Sequence, residues 1–177
     1  DPELRAPLLQ AQVIVLGERH DHVDHHLLQT ELLQSVIEAG RKPTLVFEML
    51  DQSQEAAIEK TLETQPQDVD ALGRAVDWEG SGWPAWSLYR PLFALGMAQR
   101  LPIAAAGLDR AMAMRLAREG LGVLDAELVR TCGLQDALPE SEQARARQEM
   151  SDAHCGLLPE TMLDRMVLVQ RARDALL

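Results

Sequence analysis

Histidines and acids are concentrated in one short segment near the start of the chain. Four of its five histidines lie within nine residues, 18–26, together with three acids: His20, His22, His25, His26, Glu18, Asp21 and Asp24. Imidazole and carboxylate are common ligands of zinc, iron, copper and nickel, and both serve as general acids and bases. The segment therefore predicts a metal site or acid–base chemistry, unless its histidines only cap a helix or lie in solvent.

A second acid, Glu48, lies near the end of a later apolar run, Thr44–Leu50. Because ligands of open α/β sheets bind outside the carboxyl ends of the strands, we expect Glu18, His20 and Glu48 to approach one another at one rim of a sheet. A divalent metal held by Glu18, His20, His25 and Glu48 is one prediction from this set. A metal-dependent hydrolase, protease-like or esterase-like, would use Glu18, His20 and Glu48 as ligands or general base.

The elements that position these residues follow a βαβα order. Val13 to Leu16 is an uninterrupted apolar run that predicts a strand buried on both faces, and a helix is predicted from Asp24 to Ala39, ended by Gly40. Thr44–Leu50 and the run from Leu101 to Gly107 predict two more strands. The pattern indicates an α/β fold, with a mostly parallel sheet, helices on both faces, a helical insertion and a helical region at about 125–177.

The aromatic residues also cluster. The segment from Trp78 to Phe93 contains all three tryptophans, the only tyrosine and one of the two phenylalanines. Helical spacing from Trp83 onward predicts either a stripe that packs on the sheet or a wall for a flat apolar ligand. Pro91 cannot donate a backbone hydrogen bond to Ser87, so a kink or helix junction is expected near Tyr89.

Composition excludes several classes of function. The 177 residues predict a single domain, 1–177, and the net charge of −11 argues against nucleic acid or an anionic membrane as the main partner. Neither a membrane-spanning run nor a signal-peptide core is recognisable, and GxGxxG, P-loop, GxSxG and HExxH motifs are absent. Whether Cys132 and Cys155 pair is left open.

Several segments, in order, resemble the ChaN-like haem-binding proteins of the Tiki superfamily. They are Gly17-Glu-Arg-His-Asp21, His25-His26, Val46-Phe-Glu-Met49, Tyr89-Arg-Pro91 and Leu101-Pro-Ile-Ala-Ala-Ala106. The chain departs from the family after the third strand, where it reads Gly107-Leu-Asp-Arg110 in place of Asn-x-Pro-Arg. The family also continues past Leu177 into a further helix and strand, so a C-terminal αβ unit is expected to be lacking here.

The resemblance implies a bacterial haem-binding protein in iron or haem acquisition, with haem bound at the interface of a homodimer. It also implies a periplasmic or outer-membrane lipoprotein whose lipid anchor precedes this chain. For haem, the expected axial ligand is Tyr89, with His154 second and the histidines of the first segment as further imidazole alternatives, and Trp86 is expected to form a wall. Arg90 and Arg110 are expected to pair with the propionates. A non-enzyme is favoured over the hydrolase, and haemin uptake by the purified protein discriminates the two.

Overall fold

The computed structural model describes the backbone of residues 2–177 and the side chains from residue 6 onward. The helices and strands follow in this order: α1 (Pro2–Gln10), α2 (Val23–Glu38), β1 (Leu45–Asp51), α3 (Glu55–Thr64), α4 (Val69–Ala75), α5 (Trp86–Ala98), β2 (Ile103–Gly107), α6 (Arg110–Glu119), α7 (Ala126–Thr131), α8 (Glu140–Ala153) and α9 (Glu160–Asp174). Single 3₁₀ turns occur at Gln52–Gln54, Trp78–Gly80 and Leu121–Val123.

The predicted α/β class is confirmed, with a small parallel sheet and a predominance of helix. In the part of the chain that the structure describes, the sheet consists of β1 and β2. The helix predicted after the histidine segment is confirmed as α2, and Gly40 follows it with a left-handed φ of 81° that suits glycine.

The strand predicted at Val13 to Leu16 is wrong. These residues form no strand, and the side chains of Val13 and Val15 are 78% and 82% exposed. A strand buried on both faces needs neighbouring strands to accept its backbone hydrogen bonds, and the described residues place none beside this run. Its Leu16 carbonyl instead accepts a hydrogen bond from the Gln29 side chain, 3.3 Å away.

The chain divides into two compact units, one up to Ala105 and one from Ala106 to Leu177. Whether they form the single domain predicted for 1–177 stays a prediction. In the first unit, α2 and α4 pack against α5, whose Tyr89 and Phe93 are fully buried. Phe93 stacks on Phe47 of β1 with ring centroids 4.2 Å apart.

Helix α5 runs without a break from Trp86 to Ala98, with Pro91 inside it. Of the two alternatives predicted near Tyr89, the helix junction is wrong and the kink stays a prediction: Pro91 removes one hydrogen bond to the Ser87 carbonyl, but the helix continues through it. Most of the aromatic segment is core, since Trp78, Tyr89 and Phe93 are each at most 2% exposed.

In the second unit, α9 packs against α6 and α8. Its core is formed by buried residues of α6, the turn after α7, and α9: Leu116, Leu134, Val169 and Ala172. The helical region predicted at about 125–177 corresponds to α7, α8 and α9. No helix of the described chain is both long and apolar enough to cross a bilayer.

Candidate functional site

The loop before α2 is fixed by side chains from the first turns of that helix. The Gln29 amide donates to the Leu16 carbonyl, and His26 Nε2 lies 3.0 Å from the His20 carbonyl oxygen. Because a carbonyl only accepts, His26 must carry a proton on Nε2. The helix therefore holds the backbone on both sides of Glu18 and determines where its carboxylate points.

His22 and His25 do not contact Glu18 but lie at the turn into α2. His25 Nδ1 accepts a hydrogen bond from the Arg19 backbone N–H at 2.9 Å. His22 precedes the first residue of α2 and its ring stacks on that of His25, with centroids 4.5 Å apart. These two rings support the turn into the helix, whereas His26 points into the protein and is 3% exposed.

The centre of the site is the buried carboxylate of Glu18, whose side chain is 6% exposed. Three groups lie within hydrogen-bond distance of it: the Tyr89 hydroxyl at 2.6 Å, the Gln29 amide at 2.9 Å and His20 Nδ1 at 3.0 Å. His26 Nδ1 is 3.3 Å from Oε2, outside hydrogen-bond geometry. Burial alone would raise the pKa of Glu18, but these donors outweigh it and hold the pKa below its usual value.

The hydroxyl of Tyr89 is hydrogen-bonded to this carboxylate. Its ring is fully buried, tilted against the His26 ring at 4.3 Å between centroids, and its hydroxyl donates to Glu18 Oε1. Burial, followed by the hydrogen bond to Glu18 and the negative charge there, raises the pKa of Tyr89 well above its usual range. A phenolate ligand needs the opposite, so this geometry opposes Tyr89 as the axial ligand of a haem.

His20 is the accessible member of the group. Its side chain is 43% exposed, and Nε2 lies 3.9 Å from Glu48 Oε1. The ring meets Trp83 edge-on with centroids 4.9 Å apart. Because an ionised carboxylate only accepts, His20 Nδ1 donates to Glu18, and Nε2 is the ring nitrogen on the side of Glu48.

The structure therefore brings Glu18, His20 and Glu48 together, as the sequence predicted. It does so without the predicted first strand: Glu18 and His20 come from a loop held by α2, and Glu48 comes from β1. The pKa of Glu18 is lowered because Tyr89, His20 and Gln29 donate to it.

Two other residues expected to contact haem are bound to a different carboxylate. Arg90 makes two hydrogen bonds to Asp70, at 2.8 and 3.0 Å, and Trp86 Nε1 donates to the same carboxylate at 3.0 Å. His154 and Arg110 belong to the second unit, where both are exposed. Their roles at a haem site stay predictions.

The divalent-metal prediction is not supported. Among the described residues, no three histidine, cysteine, aspartate or glutamate side chains are arranged to hold a metal ion. Glu18 is occupied by protein donors, and His25 accepts from the backbone of Arg19.

Sequence reasoning missed Gln29 and did not separate His26 from its neighbours. Both residues make side-chain contacts to the Glu18 loop, and both are less than 9% exposed. Their i, i+3 spacing places them on one face of α2. That spacing was a usable signal, because a buried glutamine on the face of a histidine needs a polar partner.

Comparison with protein families gives a match over residues 4–177 to the family described as haem-binding uptake, Tiki superfamily, ChaN. The chain belongs to the ChaN family. A search of curated proteins found no match.

Among solved structures, the chain is similar to one titled "Cofacial heme binding to ChaN of Campylobacter jejuni", with a TM-score of 0.74 and 22% sequence identity. The similarity covers 96% of this chain and 65% of that one. At this identity it shows the fold, and the chain spans about two thirds of the length of that ChaN.

Proposed function

We propose that this chain binds haem. The observation that carries the proposal is the match of residues 4–177 to a haem-binding uptake family. The solved ChaN structure with the same fold is, by its title, a haem complex. These two findings support a haem-binding module more strongly than a hydrolase, whose metal ligands are not assembled in the described residues.

The residues present fit a haem. Haem iron takes imidazole as an axial ligand, and the porphyrin needs an apolar surface. His20 offers a half-exposed imidazole whose other nitrogen is already bound to a carboxylate. Trp83, half-buried, lies edge-on to it and adds an apolar surface. When bound, the haem would supply an iron centre, and this chain would hold and orient it.

The proposal extends to a homodimer with haem at its interface. The haem binding of the solved ChaN is described as cofacial, and two haems that face each other require two sites that meet. A two-fold symmetric dimer presents the same surface twice and brings two such sites together. This supports a shared site, in which each chain contributes part of the haem environment.

We place the protein in bacterial iron or haem acquisition, at the periplasmic side or the outer membrane and attached through a lipid anchor. The family description "haem-binding uptake" supports the first part. An uptake role supports a location outside the inner membrane, since haem must be captured before it crosses that membrane. Fractionation of cells that express the full-length protein, with and without globomycin, tests the anchor: processing that globomycin blocks is the expected result.

Haemin titration of the purified chain tests the function. The expected result is a saturable shift of the Soret band, together with a change from monomer to dimer in sedimentation velocity when haemin is added. A Soret band identical to that of free haemin at every protein concentration would contradict haem binding. Saturable binding by a species that stays monomeric would retain haem binding and reject the shared site.

A further inference from the structure

Helix α6 is the most positively charged helix of a chain whose net charge is −11. Its ten residues, Arg110–Glu119, include three arginines and one glutamate. Every other helix of the described chain has at most one positive charge in excess. The arginines of α6 are therefore a local feature that the composition of the whole chain conceals.

These arginines lie on the solvent side of the helix. Leu116 is fully buried in the core of the second unit and defines the inward face of α6. Arg110, Met114 and Arg118 follow one another at i, i+4 and i+8, so they form one row on the opposite face. All three are exposed, and Met114 is 51% exposed. Two cations thus flank an apolar side chain that lies in solvent.

The two arginines of this row have no partner within the described residues. Neither Arg110 nor Arg118 makes an ion pair or a side-chain hydrogen bond there. Arg115, beside the row, is paired with Glu119 at 3.5 Å, and exposed arginines of α4, α7 and α8 are also paired with carboxylates. Because a chain with 28 acidic side chains offers many such partners, two unpaired arginines in one row suit a surface that meets an external anion.

The position of Arg110 is not explained by helix stability. It is the first residue of α6, where the positive end of the helix dipole disfavours a cation. The start of the helix is instead stabilised by Asp109, whose carboxylate accepts a hydrogen bond from the Met112 N–H at 2.9 Å. A residue that opposes a local rule without a compensating contact is expected where a partner binds.

The row matches the surface of a bilayer that contains anionic lipid. Guanidinium groups bind phosphate through paired hydrogen bonds, and helices at membrane surfaces combine cations with apolar side chains that enter the headgroup boundary. A nucleic acid offers phosphates but no apolar layer for Met114. The acids elsewhere in the chain do not prevent this contact, because charges separated by more than about 8 Å are largely screened at physiological salt.

We propose that the outer face of α6, formed by Arg110, Met114 and Arg118, docks on an anionic bilayer surface. The two guanidinium groups contact lipid phosphates, and the Met114 side chain enters the boundary between headgroups and acyl chains. This contact does not depend on haem binding. It is weak by itself because few cations take part, but for a chain held by the lipid anchor proposed above it is an intramolecular contact at high effective concentration.

Vesicle flotation of the purified, haem-free chain tests the docking. The chain should float with vesicles of phosphatidylcholine mixed with phosphatidylglycerol, and not with vesicles of phosphatidylcholine alone. Added salt should release it, since salt screens the attraction between arginine and phosphate. Equal flotation with both kinds of vesicle, or none with phosphatidylglycerol at low salt, would overturn the proposal.

A double variant tests whether α6 is the surface that docks. Arg110→Gln/Arg118→Gln removes both charges and keeps good helix formers. Each arginine near an anionic membrane changes binding by about fivefold, so affinity for the phosphatidylglycerol vesicles should fall by about 25-fold. Arg130→Gln/Arg145→Gln is the matched control, with the same change of net charge on α7 and α8. Equal losses in the two variants would show that binding follows net charge and that α6 is not the docking surface.

Met114 gives a readout that charge alone does not move. With methyl-labelled methionine, the Met114 resonance should be broadened by a paramagnetic lipid in phosphatidylglycerol vesicles. Met112 is the control from the same helix, because it packs against the core of the second unit. Equal broadening of the two methyl groups, or none, would contradict insertion of Met114.

An acidic protein is the alternative partner for this surface, and polyaspartate serves as its probe. The chain should prefer phosphatidylglycerol vesicles, because polyaspartate gives Met114 no apolar layer. If polyaspartate binds through Arg110 and Arg118 while the vesicles do not bind, the membrane proposal is wrong. Circular dichroism of each variant checks that the fold is kept.

Discussion

Two adjacent residues of α5, Tyr89 and Arg90, each bind a carboxylate in a different setting. Tyr89 donates to Glu18, which also accepts from His20 and Gln29. Arg90 donates twice to Asp70, which also accepts from Trp86. Both carboxylates thus have three hydrogen bonds and a lowered pKa. They differ in burial, because the Glu18 side chain is 6% exposed and the Asp70 side chain is 45% exposed.

The two carboxylates have the same number of hydrogen-bond donors, but burial changes the balance of effects that sets each pKa. For Asp70 the charged Arg90 beside it is the largest cause, and with Trp86 it lowers the pKa to about 2. For Glu18 the largest single effect is desolvation, which works against the charge, and the hydrogen bonds must overcome it. Exposed ion pairs contribute little to the free energy of unfolding. Removing either partner of a buried hydrogen bond to a carboxylate lowers that free energy much more, because the remaining group stays buried without a partner. The comparison predicts that the two sites respond very differently to substitution.

The largest effect is expected for Glu18→Ala. It leaves the Tyr89 hydroxyl and the Gln29 amide buried without their acceptor, and we expect the free energy of unfolding to fall by about 3 kcal/mol. Urea denaturation at neutral pH measures this, with Asp70→Ala, at the carboxylate that Arg90 binds, as the matched control. Equal losses in the two variants would mean that burial does not distinguish the sites.

Tyr89→Phe is expected to come next. The ring stays in the core and only the hydroxyl is lost, so the free energy of unfolding should fall by about 1.5 kcal/mol, the usual value for a hydrogen bond to a charged group. A double-mutant cycle with Glu18→Gln isolates the contact between the two side chains. Additive losses in the cycle would show that the 2.6 Å hydrogen bond contributes nothing measurable.

The contact between Tyr89 and Glu18 shows how far this structure could be predicted from the sequence. Helix α2 and strand β2 follow from local patterns, because apolar spacing is a property of neighbouring residues. The meeting of Glu18, His20 and Glu48 was expected from a first strand that does not form, so the residues were right and the element that positions two of them was wrong. The hydrogen bond from Tyr89 to Glu18 joins residues 71 positions apart, and no local pattern contains it. The only tyrosine in the chain suggested an exposed ligand; packing instead made it an internal donor.

The strand predicted at Val13 to Leu16 was wrong for a related reason. Its β-branched residues satisfy every local rule for a buried strand, but a strand exists only when a neighbouring strand accepts its hydrogen bonds. In the described chain the sheet stops at β1 and β2, and Val13 and Val15 stay exposed. Local sequence can specify which residues are able to form a strand; it does not contain the partner.

The pH dependence of stability should separate the two carboxylates. The pKa of Glu18 in the folded protein lies below its unfolded value of 4.5, so its contribution is complete above that pH and is lost as pH falls through the folded pKa. The stability difference between the wild-type chain and Glu18→Gln should therefore shrink as pH falls below 4.5. Urea denaturation from pH 7 to pH 3 measures the difference. A gap that widens on acidification would contradict the lowered pKa.

The smallest effect is expected for Asp70→Asn. Its pKa in the folded protein is lowered from 3.8 to about 2, so its contribution is present above pH 3.8 and is lost as pH falls toward about 2. Since water and ions reach this pair, the loss at neutral pH should be smaller than for Tyr89→Phe and should nearly vanish in 1 M NaCl, where charges are screened within about 3 Å. The loss in Glu18→Ala should persist at the same salt concentration, because its hydrogen bonds are shielded from solvent. The urea midpoints of both variants at low and high salt measure these losses. If salt does not reduce the loss in Asp70→Asn, the Asp70–Arg90 pair behaves like the buried Glu18 site, and burial does not distinguish the two carboxylates.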